Sequence, residues 1–247
     1  MAGQTDHALR GDYSQIKPDY TVDQDYSRYT AAEQDLWKRL YARQSVLVPQ
    51  YGCDEFCDVL ATLNFGSGIP RFDEINTKLM AATGWTLVAV PGLLPDDVFF
   101  THLANRRFPV SVWLRNPEEF DYIVEPDIFH DFFGHVPLLT NPVFADCMQE
   151  YGRRGVEAGP DVHLLARLYW FTVEFGLIRT QQGLKAYGAG ILSSAAEVKH
   201  AIEGDGVERV PFDATVAMNR PYEIDRLQNT YFVLDDFRQL MDRPQRH

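Results

Sequence analysis

Two histidines, His130 and His135, stand five residues apart in the run "EPDIFHDFFGHVPLL", residues 125–139. Imidazole is the commonest metal ligand among side chains, and two of them in a largely apolar run ask for a shared partner. The plainer alternative for each is a core or surface histidine with an ordinary hydrogen bond. The spacing is not that of the zinc-protease helix HExxH, which sets its histidines four apart around a glutamate base. Pro126 suits the first turn of a helix, and Glu125 and Asp127 favour its N-terminus. On an ideal α-helix a step of five turns the second ring about 140° from the first. The two rings then converge only if the helix tightens or ends at Gly134, where the missing Cβ also permits close backbone approach.

Glu174 is the third candidate. In "LYWFTVEFGLI" it follows Trp170 by four and Phe171 by three and precedes Ile178 by four, which places it on the apolar side of a helix. A carboxylate there is costly unless it is paired with a cation or coordinates a metal. Arg167 and Arg179 are the ion-pair alternatives. Two histidines and a carboxylate that leave positions open are the facial triad of non-haem iron(II) oxygenases. Zinc hydrolases use the same donors around a metal-bound water, so the ligands alone do not select the metal. No residue stands out as the general base that such a hydrolase adds.

Three further stretches invite a chemical reading. "YGAGILSSAAE", residues 187–197, has GxG without the third glycine of a dinucleotide loop and without a strand directly before it. Ser194 and Glu197 have the spacing of a capping box, which leaves Ser193 free to face a pocket. "VPGLL", residues 90–94, is turn chemistry after a strand. Arg115 is either a surface arginine or a bidentate clamp for a carboxylate.

The elements that must position these groups are mainly helical. Thr30 and Glu33 form a capping box ahead of Leu36, Trp37, Leu40 and Tyr41, so a helix starts near Ala31. Further helices are expected in "CDEFCDVLATLNF", in "RFDEINTKLMAAT" ending at Gly84, and in "DDVFFTHLANR". "DVHLLARLYWFTVEFGLIR" reads as one long helix. Strands are expected at 85–90, 108–114 and 230–234, with a short helix after the last. The fold class is mostly α with a few short β-strands and no βαβ alternation. One domain is expected over 29–247, preceded by a loosely ordered tail over 1–28.

The chain has 247 residues, with 23 Lys and Arg against 35 Asp and Glu, a net charge of −12. That balance argues against nucleic acid and anionic membranes as partners. Cys53, Cys57 and Cys147 have no zinc-site spacing and read as reduced thiols of a cytoplasmic protein. The start lacks the apolar core of a signal peptide, and no run reaches the length of a membrane span.

Taken in order, "EPDIFHDFFGHVPLL", "LYWFTVEFGL" and "KAYGAGILSS" resemble the tetrahydropterin-dependent aromatic amino acid hydroxylases. The resemblance runs from about residue 30 to the end and is closest to single-domain bacterial members. It implies a single catalytic domain of that type with Fe(II) held by His130, His135 and Glu174. It implies a tetrahydropterin, tetrahydrobiopterin or a related one, bound by Gly92, Leu93, Leu94, Phe99 and Asp131. Many relatives have Glu where this chain has Asp131, which shortens the reach here. Arg115 is implied for the substrate carboxylate, and Trp170, Gly190 and Ser193, with Pro109 and Ile123, for the rest of the substrate pocket. The implied activity is hydroxylation of L-phenylalanine to L-tyrosine with O₂. Tryptophan or tyrosine hydroxylation, and a non-catalytic sensor of pterin or aromatic amino acids, are the alternatives. With neither a regulatory domain nor a coiled-coil tail expected, the resemblance implies a monomer.

Overall fold

The structure, a computed structural model, describes residues 9–63, 65–121, 123–224 and 226–242. Helix α1 (Ala31–Tyr51) starts where the capping box requires. Thr30 Oγ1 accepts the Glu33 N–H at 3.2 Å, and the Glu33 carboxylate accepts the Thr30 N–H at 2.7 Å. Helices α2 (Asp54–Leu63) and α3 (Phe72–Thr83) follow, and α3 stops at Gly84 in the left-handed region, φ 74°.

Strand β1 (Thr86–Val90), helix α4 (Asp96–Ala104) and strand β2 (Arg107–Ser111) form a parallel βαβ unit, with Thr86 opposite Arg107 and Val90 opposite Ser111. The chain then reaches a π-helical turn at His130–His135, helix α5 (Pro142–Ala158) and helix α6 (Val162–Tyr169). A second π-helical turn, Trp170–Glu174, leads into the hairpin of β3 (Leu177–Thr180) and β4 (Gly183–Ala186). One turn of helix, α7 (Ala189–Leu192), precedes α8 (Ala195–Glu203), β5 (Glu208–Pro211), α9 (Ala214–Asn219) and β6 (Thr230–Leu234). A 3₁₀ turn at Phe237–Met241 follows. The second sheet runs β4-β3-β6-β5, with β6 parallel to both neighbours.

The mostly helical class with short strands is the observed one. Three local readings change. The scattered strands hide short parallel crossovers, β1-α4-β2 and β5-α9-β6. The long helix expected over 161–179 gives way at Trp170 to a π turn and then to β3, because Leu177 and Ile178 pair with strands on both sides. Gly176 marks the change: a Cβ there would lie 2.2 Å from the Tyr187 ring. The closing helix is a 3₁₀ turn.

The core is aromatic around the first π turn. Phe129 packs on Trp37 at 5.2 Å, Phe132 on Phe65 at 4.8 Å and Phe133 on Tyr41 at 5.8 Å, all edge to face. These rings anchor the segment to α1 and its neighbours and leave His130 and His135 to line the large cavity. Residues from the N-terminal segment cross the domain: Val22 N–H donates to Ala89 O at 2.9 Å, and Asp19 pairs with Arg107 at 2.8 Å. No helix among the described residues is long and apolar enough to cross a membrane.

Candidate active site

The two π turns build the site. In a π-helix the hydrogen-bonded ring closes between residues i and i+5, so a step of five brings side chains together instead of swinging them 140° apart. His130 and His135 are the first and last residues of one such turn, and their rings lie 5.3 Å apart at 81°. The helix does not end at Gly134. That glycine is needed for close approach, since a Cβ on it would sit 2.8 Å from the Ala189 side chain and 2.9 Å from the Ala189 carbonyl. Glu174 closes the second π turn, in which the Phe175 N–H donates to Trp170 O at 2.9 Å.

The three side chains converge. Glu174 Oε2 lies 3.4 Å from His130 Nε2, and Oε1 lies 3.2 Å from His135 Nε2. Arg179, one of the two arginines considered for Glu174, pairs instead with Asp235 at 3.4 Å. Burial pushes the Glu174 carboxyl up, but His135 and then His130 outweigh it and hold the group well below the usual carboxylate range. Burial pulls the His130 imidazole down, and Glu174 more than restores it, for a net rise. His130 Nδ1 shares a hydrogen bond with Ser193 Oγ at 2.9 Å. His135 is wedged against Phe108, ring centroids 4.8 Å apart.

Asp131 also comes near, its ligand atom within 4.8 Å of those of both histidines. Its Oδ2 is committed to the Ser111 N–H at 2.7 Å. Glu174 offers one oxygen to each imidazole, so two imidazoles and Glu174 are the better-formed donor set. That set, with both Nε2 atoms facing one carboxylate, fits a metal of the facial-triad type.

A cavity of about 690 Å³ opens over this cluster and collects every candidate from the sequence. Gly92, Leu93, Leu94 and Phe99 line one part of it, with Asp131. Arg115, Trp170, Gly190, Ser193, Pro109 and Ile123 line it too. Phe99 stands edge-on to Tyr169 at 5.2 Å. A flat heterocycle and an aromatic amino acid together suit a space of this size and apolar lining.

Arg115 is not a surface arginine. It is 3% exposed, and its Nε and Nη2 donate to Asp127 at 2.8 and 2.9 Å. Its Nη1 has no hydrogen bond among the described residues. The GxG of residues 188–190 serves packing: a Cβ on Gly188 would lie 2.4 Å from Glu174 O, and one on Gly190 would lie 2.7 Å from the Phe175 ring. Ser194 Oγ caps α8 by accepting the Glu197 N–H at 3.3 Å.

Residues that sequence reasoning passed over also line the cavity. Tyr222 stacks on Trp170, centroids 4.4 Å apart at 19°, and Gln228 accepts the Trp170 indole N–H at 3.1 Å. They come from a loop that no periodicity marks. Asp127 was legible only as a helix-start acid. Its three-residue lead on His130 is the capping signal, and its Oδ1 accepts the His130 N–H at 2.9 Å.

Comparison with known proteins gives the chain a lineage. Residues 3–247 match the family described as biopterin-dependent aromatic amino acid hydroxylase. This chain belongs to that family. It is 55% identical over 230 residues to a phenylalanine-4-hydroxylase of Ralstonia nicotianae, covering 92% of this chain and 74% of that one. Among solved structures it resembles the iron- and phenylalanine-bound phenylalanine hydroxylase of Chromobacterium violaceum, with a TM-score of 0.88 and 53% identity over 92% of this chain and 84% of that one. A second structure of that enzyme, with bound iron(III) and the oxidised cofactor 7,8-dihydrobiopterin, gives a TM-score of 0.90 and 54% identity over the same shares. The fold of the hydroxylase family is therefore that of this chain over nearly its whole length.

Proposed function

We propose that this chain is an iron(II)- and tetrahydropterin-dependent monooxygenase that converts L-phenylalanine to L-tyrosine. The observation that carries the reading is the convergence of His130, His135 and Glu174 at 3.2 and 3.4 Å beneath one cavity. The relatives named above support phenylalanine over tyrosine or tryptophan as the ring that is oxidised. When bound, iron(II) and reduced pterin supply the electrons that let one atom of O₂ enter the aromatic ring.

The residues of the chain then have separable tasks. His130 and His135 present Nε2, and Glu174 its carboxylate, as the metal's protein ligands. With Nε2 of His130 given to the metal, Nδ1 carries the proton and the Ser193 hydroxyl, 2.9 Å away, accepts from it and orients the ring. Phe99 offers a ring face to the pterin, the backbone of Gly92, Leu93 and Leu94 offers hydrogen bonds to its edge, and Asp131 offers a carboxylate nearby. Arg115, fixed by Asp127, directs Nη1 to the substrate carboxylate. The amino acid is thereby held with its ring inward, against Trp170 and beside Gly190. A buried, largely apolar setting keeps water from the reaction. A cytoplasmic monomer acting on small molecules completes the reading. The free thiols of Cys53, Cys57 and Cys147 and the net charge of −12 support it.

The test is direct. Iron-loaded protein is incubated with tetrahydropterin, O₂ and each of phenylalanine, tyrosine and tryptophan, and the products are identified. Tyrosine from phenylalanine, dependent on pterin, is the expected result. Near wild-type turnover by His135→Ala protein would overturn the reading.

A further inference from the structure

The N-terminal segment reaches the cavity at the loop assigned above to the pterin. Tyr13 Oη donates to the Leu93 carbonyl at 3.0 Å, and Leu9 lines the same cavity. Burial, with the Glu125 charge, pushes the Tyr13 phenol up to about 12, so it stays protonated and donating near neutral pH. Gly11 passes so close to Pro91 that a Cβ on it would lie 2.1 Å from the Pro91 carbonyl oxygen. Gly92 is enclosed in turn, because a Cβ there would lie 3.0 Å from both Tyr13 Oη and Glu125 Oε1. Arg10 secures the segment. Its side chain pairs with Glu119 at 2.6 Å and lies over the Trp113 ring at 4.5 Å, and its N–H donates to Glu125 Oε2 at 3.3 Å.

From this arrangement we infer that residues 10–13 are a latch on the loop 91–94, and that Tyr13 is a positioning residue for the pterin. The inference rests on the cofactor reading of that loop. A loop whose backbone groups must meet a flat heterocycle loses affinity if it has to be ordered on binding. The Tyr13 hydroxyl holds the Leu93 carbonyl in advance, so that cost is met during folding. The latch touches the Leu93 side of the cavity and makes no hydrogen bond to Arg115 or Trp170 among the described residues, so its effect is on pterin and not on the amino acid.

The experiment compares wild type, Tyr13→Phe and Gly11→Ala. Binding of reduced pterin to the iron-loaded proteins is measured anaerobically by calorimetry. Steady-state kinetics of the iron-loaded proteins are measured with pterin and phenylalanine varied separately. Tyr13→Phe, which loses one hydrogen bond, is expected to raise the pterin Kd and KM by about threefold to tenfold. Its kcat and its KM for phenylalanine stay at the wild-type values. Gly11→Ala, which displaces the segment without removing the hydroxyl, is expected to show the same selective loss. Lys17→Ala, which alters an exposed ion pair with Asp23, is expected to show none. Unchanged pterin binding in Tyr13→Phe, or a loss shared equally by phenylalanine, would overturn the latch. Wild-type protein that binds no pterin would overturn the cofactor reading itself, and the latch with it.

Discussion

Asp127 grips Arg115 with both carboxylate oxygens, Oδ2 accepting from Nε at 2.8 Å and Oδ1 from Nη2 at 2.9 Å, while Oδ1 also accepts the His130 N–H. One carboxylate thus ties the arginine proposed for the substrate to the turn that carries the histidines. Both side chains are almost wholly buried. Removing one partner of such a pair leaves an uncompensated buried charge. Asp127→Asn is therefore expected to lower stability by about 3–5 kcal/mol and to raise the KM for the amino acid. Burial pushes the Asp127 carboxyl up, but Arg115 outweighs it and holds the group below its ordinary value. A depressed folded-state value means stability that is present above about pH 3.9 and lost as pH falls below it. Urea unfolding at several pH values should show the gap between wild type and Asp127→Asn narrowing in acid.

Ser193 acts on His130 without touching the space between the ligands. Its hydroxyl meets Nδ1 at 2.9 Å. Ser193→Ala removes the outer hydrogen-bond partner of Nδ1 and frees the ring to turn. Loss of such an outer partner costs about 10–100-fold in metal affinity. Competition between the protein and a coloured iron chelator measures it. An affinity equal to wild type would show that packing alone orients His130.

Much of this site was legible in the sequence, and the part that was not has a physical cause. Residue type and an apolar setting singled out His130, His135 and Glu174, because buried polar groups need partners wherever they fall. The convergence of the histidines is not legible from the α-helical period, which assigns about 140° to a step that the π turn nearly closes. The break at Trp170 is hidden for a related reason. Periodicity over 161–174 is helical, and only the pairing of Leu177 and Ile178 with β4 and β6 ends it. Arg115 reads from sequence as a surface arginine or a bidentate clamp for a carboxylate, since its partner Asp127 lies twelve residues on and carries no pairing signal of its own. Tyr222 and Gln228 belong to an irregular loop, where no period exists to read.

Gly134 tests the packing that holds the first π turn. An added methyl would meet Ala189 at 2.8 Å, backbone as well as side chain, so α7 has to move. Gly134→Ala is expected to cost about 1–3 kcal/mol, the usual penalty of overpacking. Because His135 is the next residue, iron retention should fall together with the melting temperature. Thermal unfolding with and without added iron(II) checks this: metal should stabilise the variant less than it stabilises the wild type.

Tyr222 offers a probe of the amino acid side of the cavity. Its ring lies flat against Trp170, whose indole N–H donates to Gln228. Without that stack the indole gains freedom to tilt into the space proposed for the substrate ring. A stacked aromatic pair is worth about 0.5–1.5 kcal/mol beyond its buried area. Tyr222→Ala should therefore raise the KM for phenylalanine by about threefold to tenfold, leaving the pterin KM where it was. Tyr13→Phe is expected to do the reverse. Measured side by side, the two variants ask whether the cavity has two separable halves. A matched loss for both ligands in Tyr222→Ala would mean that Trp170 serves the cavity as a whole.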